Sequence, residues 1–126
     1  MTTVQLNRII GWIWAASLAI AVALMLRPLP DLANDLTSVY PQSDLAFHFI
    51  TFVYLRFLPH ATTWGRTRAV VIAIGLVAFG VALEFAQSLT GTRTACWEDA
   101  VANTAGVIAG SWLCPLVQEV QGKHDR

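Results

Sequence analysis

The stretch Ile9-Ile-Gly-Trp-Ile-Trp-Ala-Ala-Ser-Leu-Ala-Ile-Ala-Val-Ala-Leu-Met-Leu26 runs for 18 residues without a charge. A helix of roughly 17–25 apolar residues crosses the hydrocarbon core of a bilayer. Arg8 precedes it, as a basic residue precedes a secretory signal. Signal cores hold only about 7–15 apolar residues, however, and Arg27-Pro28-Leu29-Pro30 is a poor small-residue cleavage site. The segment therefore reads as a retained membrane helix. Pro28 and Pro30 end it, since each lacks a backbone N–H and crowds the preceding turn.

Three more apolar stretches follow, at about 45–58, 69–87 and 100–117. The second holds His48 and Arg56, and the long Arg56 side chain, near its far end, is expected to snorkel to the interface. The third is apolar until Glu84, and the fourth is rich in small residues. Short connections favour antiparallel neighbours. The expected fold is all-α, a four-helix integral membrane bundle in one domain, 1–126.

Composition agrees. Of 126 residues, 56% are hydrophobic and 13% charged, where soluble domains carry about 25% charge. Eight basic and eight acidic residues cancel, so nothing suggests a nucleic-acid footprint. Cys96 and Cys114 would lie roughly 27 Å apart along one helix. That excludes a mutual disulfide and leaves each as a small apolar filler. Basic residues near helix ends set orientation. Arg8, Arg66, Arg68, Lys123 and Arg126 fall on one side, with Arg56 close to it. Arg27 and Arg93 fall on the other, beside Asp31, Asp35, Asp44, Glu98 and Asp99. Both termini and the Trp64–Arg68 loop are then cytoplasmic, with Trp64 and Trp97 as interfacial anchors.

The strongly polar residues gather at one level. Asp44 and His48 open the second stretch, Glu84 and Gln87 close the third, and Asp99 and Asn103 open the fourth. Arg93 sits in the loop between the last two. Consecutive membrane helices alternate in direction, so a start, an end and a start share one face, here the extracytoplasmic one. An ionisable group at the bilayer centre costs about 2.5–3.5 kcal/mol, and less near the interface, so such groups default to function. Spacing sharpens the cluster: Asp44, His48 and Thr51 share one helical face, as do Gly80, Glu84 and Gln87, and Asp99, Asn103, Gly106 and Gly110. Gly106-Val-Ile-Ala-Gly110 is a GxxxG pattern for close helix approach. With Ala102 it is expected to dock on the Gly80 face, or to mediate an oligomer.

Taken singly, most of these residues have a plain structural reading. Asp44 and Asp99 suit first turns through the helix dipole. Asn103 is a common interhelical hydrogen-bonding residue, a lone GxxxG indicates packing, and His48 alone can be a satisfied buried imidazole. Glu84 is different, because a helix C-terminal end disfavours a carboxylate. It needs a partner, and Arg93 or His48 is the candidate.

The ordered set Asp44-x3-His48-Phe49, Glu84-x2-Gln87, Arg93 and Asp99-x3-Asn103-x2-Gly106-x3-Gly110 resembles the VanZ-like family of small bacterial membrane proteins. The resemblance covers Asp44 to about Leu113, and the first helix fits its layout. It implies a multi-pass protein of the bacterial cytoplasmic (inner) membrane. The family's founding member is associated with low-level teicoplanin resistance, but no reaction is implied.

Three functions compete at this stage. The first is an envelope factor whose outer pocket binds the head group of a lipid-linked cell-wall precursor or lipoglycopeptide. Arg93 would take a phosphate or carboxylate, and Gln87 and Asn103 amide or sugar groups. The second is an intramembrane hydrolase or transferase on a lipid-linked substrate, with Glu84 as base beside His48. Asp44, His48, Glu84 and Asp99 include ligand types, but no HExxH or acid-rich metal signature is present, so no metal and no cofactor is assigned. Only Ser88 and Thr51 offer hydroxyls near the cluster. The third, a small transporter, needs a midplane carboxylate, and Glu84 lies near one end. A purely structural subunit is the plain alternative. Membrane lipids are the expected surroundings.

Overall fold

The computed structural model describes residues 2–26, 42–61, 66–90 and 97–124. Four helices carry the described chain: α1 (Thr3–Leu26), α2 (Gln42–Phe57), α3 (Arg66–Thr90) and α4 (Trp97–His124), with a 3-10 turn at Leu58–Ala61 after α2. No strand occurs among the described residues.

The helices outrun the apolar stretches that announced them. Hydropathy marks what is apolar, whereas backbone hydrogen bonding continues into polar flanking turns. Asp44 and Asp99 accordingly sit inside the first turns of α2 and α4, where a carboxylate meets the positive end of the helix dipole. At the other end of α2 the expected boundary moves inward. Leu58 belongs to the 3-10 turn with Pro59, which has no N–H to continue a ladder.

Helix α2 lies along α4, in the most extensive helix pairing of the fold. His48 contacts Asn103 and Arg56 contacts Ser111, each pair 55 residues apart in sequence. The constant offset means that the two helices run parallel and in register, as second and fourth helices of an alternating bundle must. Small residues permit the approach. A Cβ on Gly106 would lie 2.5 Å from the Phe49 carbonyl oxygen and 2.9 Å from the Phe52 Cβ. One on Gly110 would lie 2.9 Å from both the Arg56 Cβ and the Val53 carbonyl oxygen.

The glycine pattern therefore faces α2, not the Gly80 face assigned to it from sequence. Gly80 faces Asn103 and Phe52, with a Cβ there 3.1 Å from the Asn103 Cβ. The surface considered for an oligomer is covered within the chain.

Helix α1 joins the bundle through apolar packing, a Ser17–Tyr54 hydroxyl contact at 3.2 Å, and two bonds that involve backbone carbonyls. Trp14 Nε1 donates to the Leu55 carbonyl at 2.8 Å, and Gln87 Nε2 donates to the Met25 carbonyl at 2.7 Å. Both acceptors lie in last turns, where helix carbonyls lack intrahelical partners. The first ties the middle of α1 to the end of α2, and the second holds the end of α1 beside the end of α3.

The bundle is apolar outside and mixed inside. Its buried hydrophobic core is Ala21, Met25, Phe52, Leu55, Leu76, Leu83 and Val107. Among the described residues six polar ones are buried as well: His48, Arg56, Glu84, Gln87, Asp99 and Asn103. Trp12 and Trp112 are each 77% exposed, and Phe85, Leu89 and Ile74 are also on the outside. A soluble domain of this size does not place its aromatics out and its carboxylates in. Val4–Leu26 and Thr67–Leu89, with mean hydropathy 2.3 and 2.4, are each long and apolar enough to cross a membrane.

Arg56 departs from its expected role. It is buried, not extended to an interface, with its stem over Gly110 and its Nε donating to Ser111 Oγ at 2.8 Å. The notch at Gly110 makes room for it, and Ser111 returns its own proton to the Val107 carbonyl at 2.8 Å.

Candidate functional site

The site forms where the start of α2, the end of α3 and the start of α4 converge. Alternation of helix direction brings these ends together, and the i, i+4 spacings turn the polar residues inward. His48 of α2 is fully buried, and its Nδ1 lies 2.9 Å from Asn103 Oδ1 of α4. Asn103 Nδ2 donates to Glu84 Oε1 of α3 at 3.3 Å. His48 Nδ1 and Glu84 Oε1 are 3.7 Å apart. The carboxylate thus meets His48, one of the two partners expected for it, with Asn103 bridging the two.

This chain of contacts sets the protons. A carboxylate oxygen accepts and an amide nitrogen donates, so the Asn103 nitrogen must face Glu84. Its oxygen then faces His48 and accepts from Nδ1–H. In the neutral imidazole this is the tautomer with its lone pair on Nε2. Among the described residues Nε2 has no hydrogen-bond partner, although it is buried, and the same holds for Glu84 Oε2. Leaving a buried polar group unsatisfied costs about 1–3 kcal/mol, so two such atoms in one cluster call for a donor or a cation.

Asp44 and Asp99 flank His48. The ligand atoms of Asp44, His48 and Asp99 all lie within 4.8 Å of one another. Asp99 is buried and Asp44 half-buried, so the cluster is enclosed on its α4 side and more open toward α2. Next to it, a hollow of about 420 Å³ between α2 and α4 is lined by Leu45, Ala46, Phe49, Trp97, Glu98, Val101 and Ala102.

Of the residues assigned from sequence, Asp44, His48, Glu84, Asp99 and Asn103 are brought together. Gln87 is buried on the same face of α3, but its amide nitrogen is committed to Met25 of α1. That bond joins α3 to α1. Arg93 and Cys96 lie outside the described residues, as do Trp64 and the side chain of Cys114. Thr51 is half-buried on α2, and Ser88 is exposed with its hydroxyl donating to the Phe85 carbonyl at 2.6 Å. Asp44, His48 and Asp99 were assigned to the site from sequence, but no metal was assigned to them, and the Asp44-x3-His48 spacing contains two of the three.

An all-helical chain with apolar faces outward, two helices long and apolar enough to cross a membrane, and a buried carboxylate–imidazole–amide cluster at one end suggests a small membrane protein. The VanZ/LLP1 family model matches residues 11–118, and the chain belongs to that family. No curated protein matches the chain. No solved structure matches it either.

Proposed function

We propose that the polar end of the bundle is an outward-facing pocket of the bacterial cytoplasmic membrane. It recognises the head group of a lipid-linked cell-wall precursor or a lipoglycopeptide. In this reading all four helices span the bilayer, both termini are cytoplasmic, and the cluster lies near the outer interface.

The observation that carries the reading is Glu84. One of its carboxylate oxygens accepts from Asn103 and the other is buried without a donor among the described residues. A hydroxyl or amide N–H of a glycan or peptide head group supplies that donor. Arg93, in the connection between α3 and α4, takes a phosphate or carboxylate of the same ligand by bidentate hydrogen bonding. The adjacent apolar hollow receives the first carbons of the lipid chain. Amphipathic ligands need this pairing of a few polar groups with an apolar wall.

The test is direct binding to the full-length protein in lipid nanodiscs. A lipid-linked disaccharide-peptide and a lipoglycopeptide should each be retained by the native chain, and at least one should lose about tenfold or more in affinity on Arg93→Ala. Equal binding by that variant and the native chain, for both ligands, would reject the pocket.

A second reading is an intramembrane hydrolase or transferase with Glu84 as general base. The 3.7 Å approach of His48 to Glu84 favours it, since a neighbouring imidazole can relay a proton. Turnover of the bound lipid-linked ligand, lost in Glu84→Gln, would select it over simple recognition.

A further inference from the structure

We propose that Asp44, His48 and Asp99 hold a divalent first-row transition-metal cation at the polar end of the bundle, with His48 Nε2 as its nitrogen ligand. Three independent features converge on this site, and none depends on which head group the pocket binds.

The first is proximity. One ligand atom from each residue lies within 4.8 Å of the other two. Nitrogen and carboxylate oxygen ligands sit about 2.0–2.2 Å from such a cation, which places them about 3–4 Å from one another. Small side-chain rotations close the difference. Asp44 and His48 stand one turn apart on a single face of α2, a spacing that lets two side chains of one helix meet one ion.

The second is the state of the imidazole. His48 is fully buried, its Nδ1 is engaged by Asn103, and its Nε2 has no partner among the described residues. An apolar packing role leaves such a nitrogen orphaned at a cost; a cation satisfies it.

The third is the orientation behind the ring. Metal-bound histidines almost always donate the other N–H to a carbonyl or carboxylate, which fixes the tautomer and raises the basicity of the ligand nitrogen. Asn103 Oδ1 accepts from Nδ1–H in that manner, and Glu84 holds the Asn103 amide in place from the other side. The helix faces that read as a polar cluster are thus arranged as ligand, orienter and orienter's anchor.

The donor set selects the ion class. Calcium and magnesium take oxygen ligands, whereas one imidazole with two carboxylates suits zinc, manganese or iron in the divalent state. Three protein ligands leave at least one position open, on the half-buried Asp44 side, for water or a ligand oxygen.

The experiment uses the full chain in nanodiscs, stripped with a chelator and dialysed against Zn²⁺ or Mn²⁺, with bound metal counted by mass spectrometry. About one equivalent per chain is expected, with affinity falling by about tenfold or more in Asp44→Asn and in Asp99→Asn. Asp44 is half-buried and its variant should fold; circular dichroism and thermal unfolding confirm that for each variant. Asn103→Ala is expected to weaken binding by about 10–100-fold without removing a ligand, as loss of an orienting partner does. Less than about 0.2 equivalents on the folded native chain, or undiminished affinity in both aspartate variants, would overturn the site.

Discussion

His48 Nδ1 lies 2.9 Å from Asn103 Oδ1, and this contact joins two helices that run parallel in register. It also decides the chemistry of the cluster. Because Asn103 donates to Glu84, it accepts from His48, and in the neutral imidazole the lone pair falls on Nε2. One amide therefore links packing, tautomer and the direction in which the site can bind.

Replacing that amide should be costly. Asn103→Leu removes the acceptor for His48 and the donor for Glu84, both of them buried. At about 1–3 kcal/mol for each orphaned group, the variant should lose about 2–6 kcal/mol of stability. Thermal unfolding in detergent should show a clear drop, and an unchanged midpoint would mean that the bridge is not formed.

The glycines divide by what faces them. A Cβ at Gly106 would meet the Phe49 backbone oxygen, which cannot rotate away, so Gly106→Ala should cost about 1–3 kcal/mol by overpacking. Nothing lies within 4 Å of a Cβ at Gly11. Gly11→Ala should be neutral or stabilising by up to about 1 kcal/mol, through helix propensity. Side-by-side unfolding of the two variants checks the helix pairing, and equal effects would contradict it.

Attachment of α1 rests on few polar contacts. Gln87→Leu keeps the volume roughly constant while removing the donor to the Met25 carbonyl. A loss of about 1–3 kcal/mol is expected for the carbonyl left buried. Limited proteolysis near Arg27 should accelerate in this variant, and unchanged cleavage would show that α1 is held by apolar packing alone.

How much of this could be read from sequence depended on whether a residue's own chemistry announced it. Asp44, His48, Glu84, Asp99 and Asn103 are polar at helical spacing in apolar surroundings, and helix alternation alone carries them to one level. The partner of Gly106 and Gly110 was not readable, because a small-residue stripe permits close approach without naming the helix that approaches. Arg56 looked like a snorkelling side chain because its acceptor, Ser111, lies 55 residues away on a helix whose register was unknown. Gln87 and Trp14 donate to backbone carbonyls, which carry no mark in a sequence. The lone pair on His48 Nε2 required a geometry, since only the arrangement of Asn103 and Glu84 reveals it.

The sidedness of the polar end follows from Cys96, which lies in the connection between Glu84 and Asn103. A membrane-impermeant maleimide should label it in intact cells, with Cys114→Ser retaining the signal and Cys96→Ser losing it. Labelling of Cys96 only after permeabilisation would place the cluster in the cytoplasm and remove the envelope-facing ligands.

Glu84→Gln tests most directly whether the cluster is a binding site or a structural knot. The glutamine keeps an oxygen for Asn103 to donate to, so the interhelical bridge survives while the charge is lost. Measured in one nanodisc preparation, this variant should unfold within a few degrees of the native protein and yet lose binding of the lipid-linked disaccharide-peptide or the lipoglycopeptide by about tenfold or more. Native binding of both at native stability would contradict the account, and so would a collapse of stability that accounts for the whole loss.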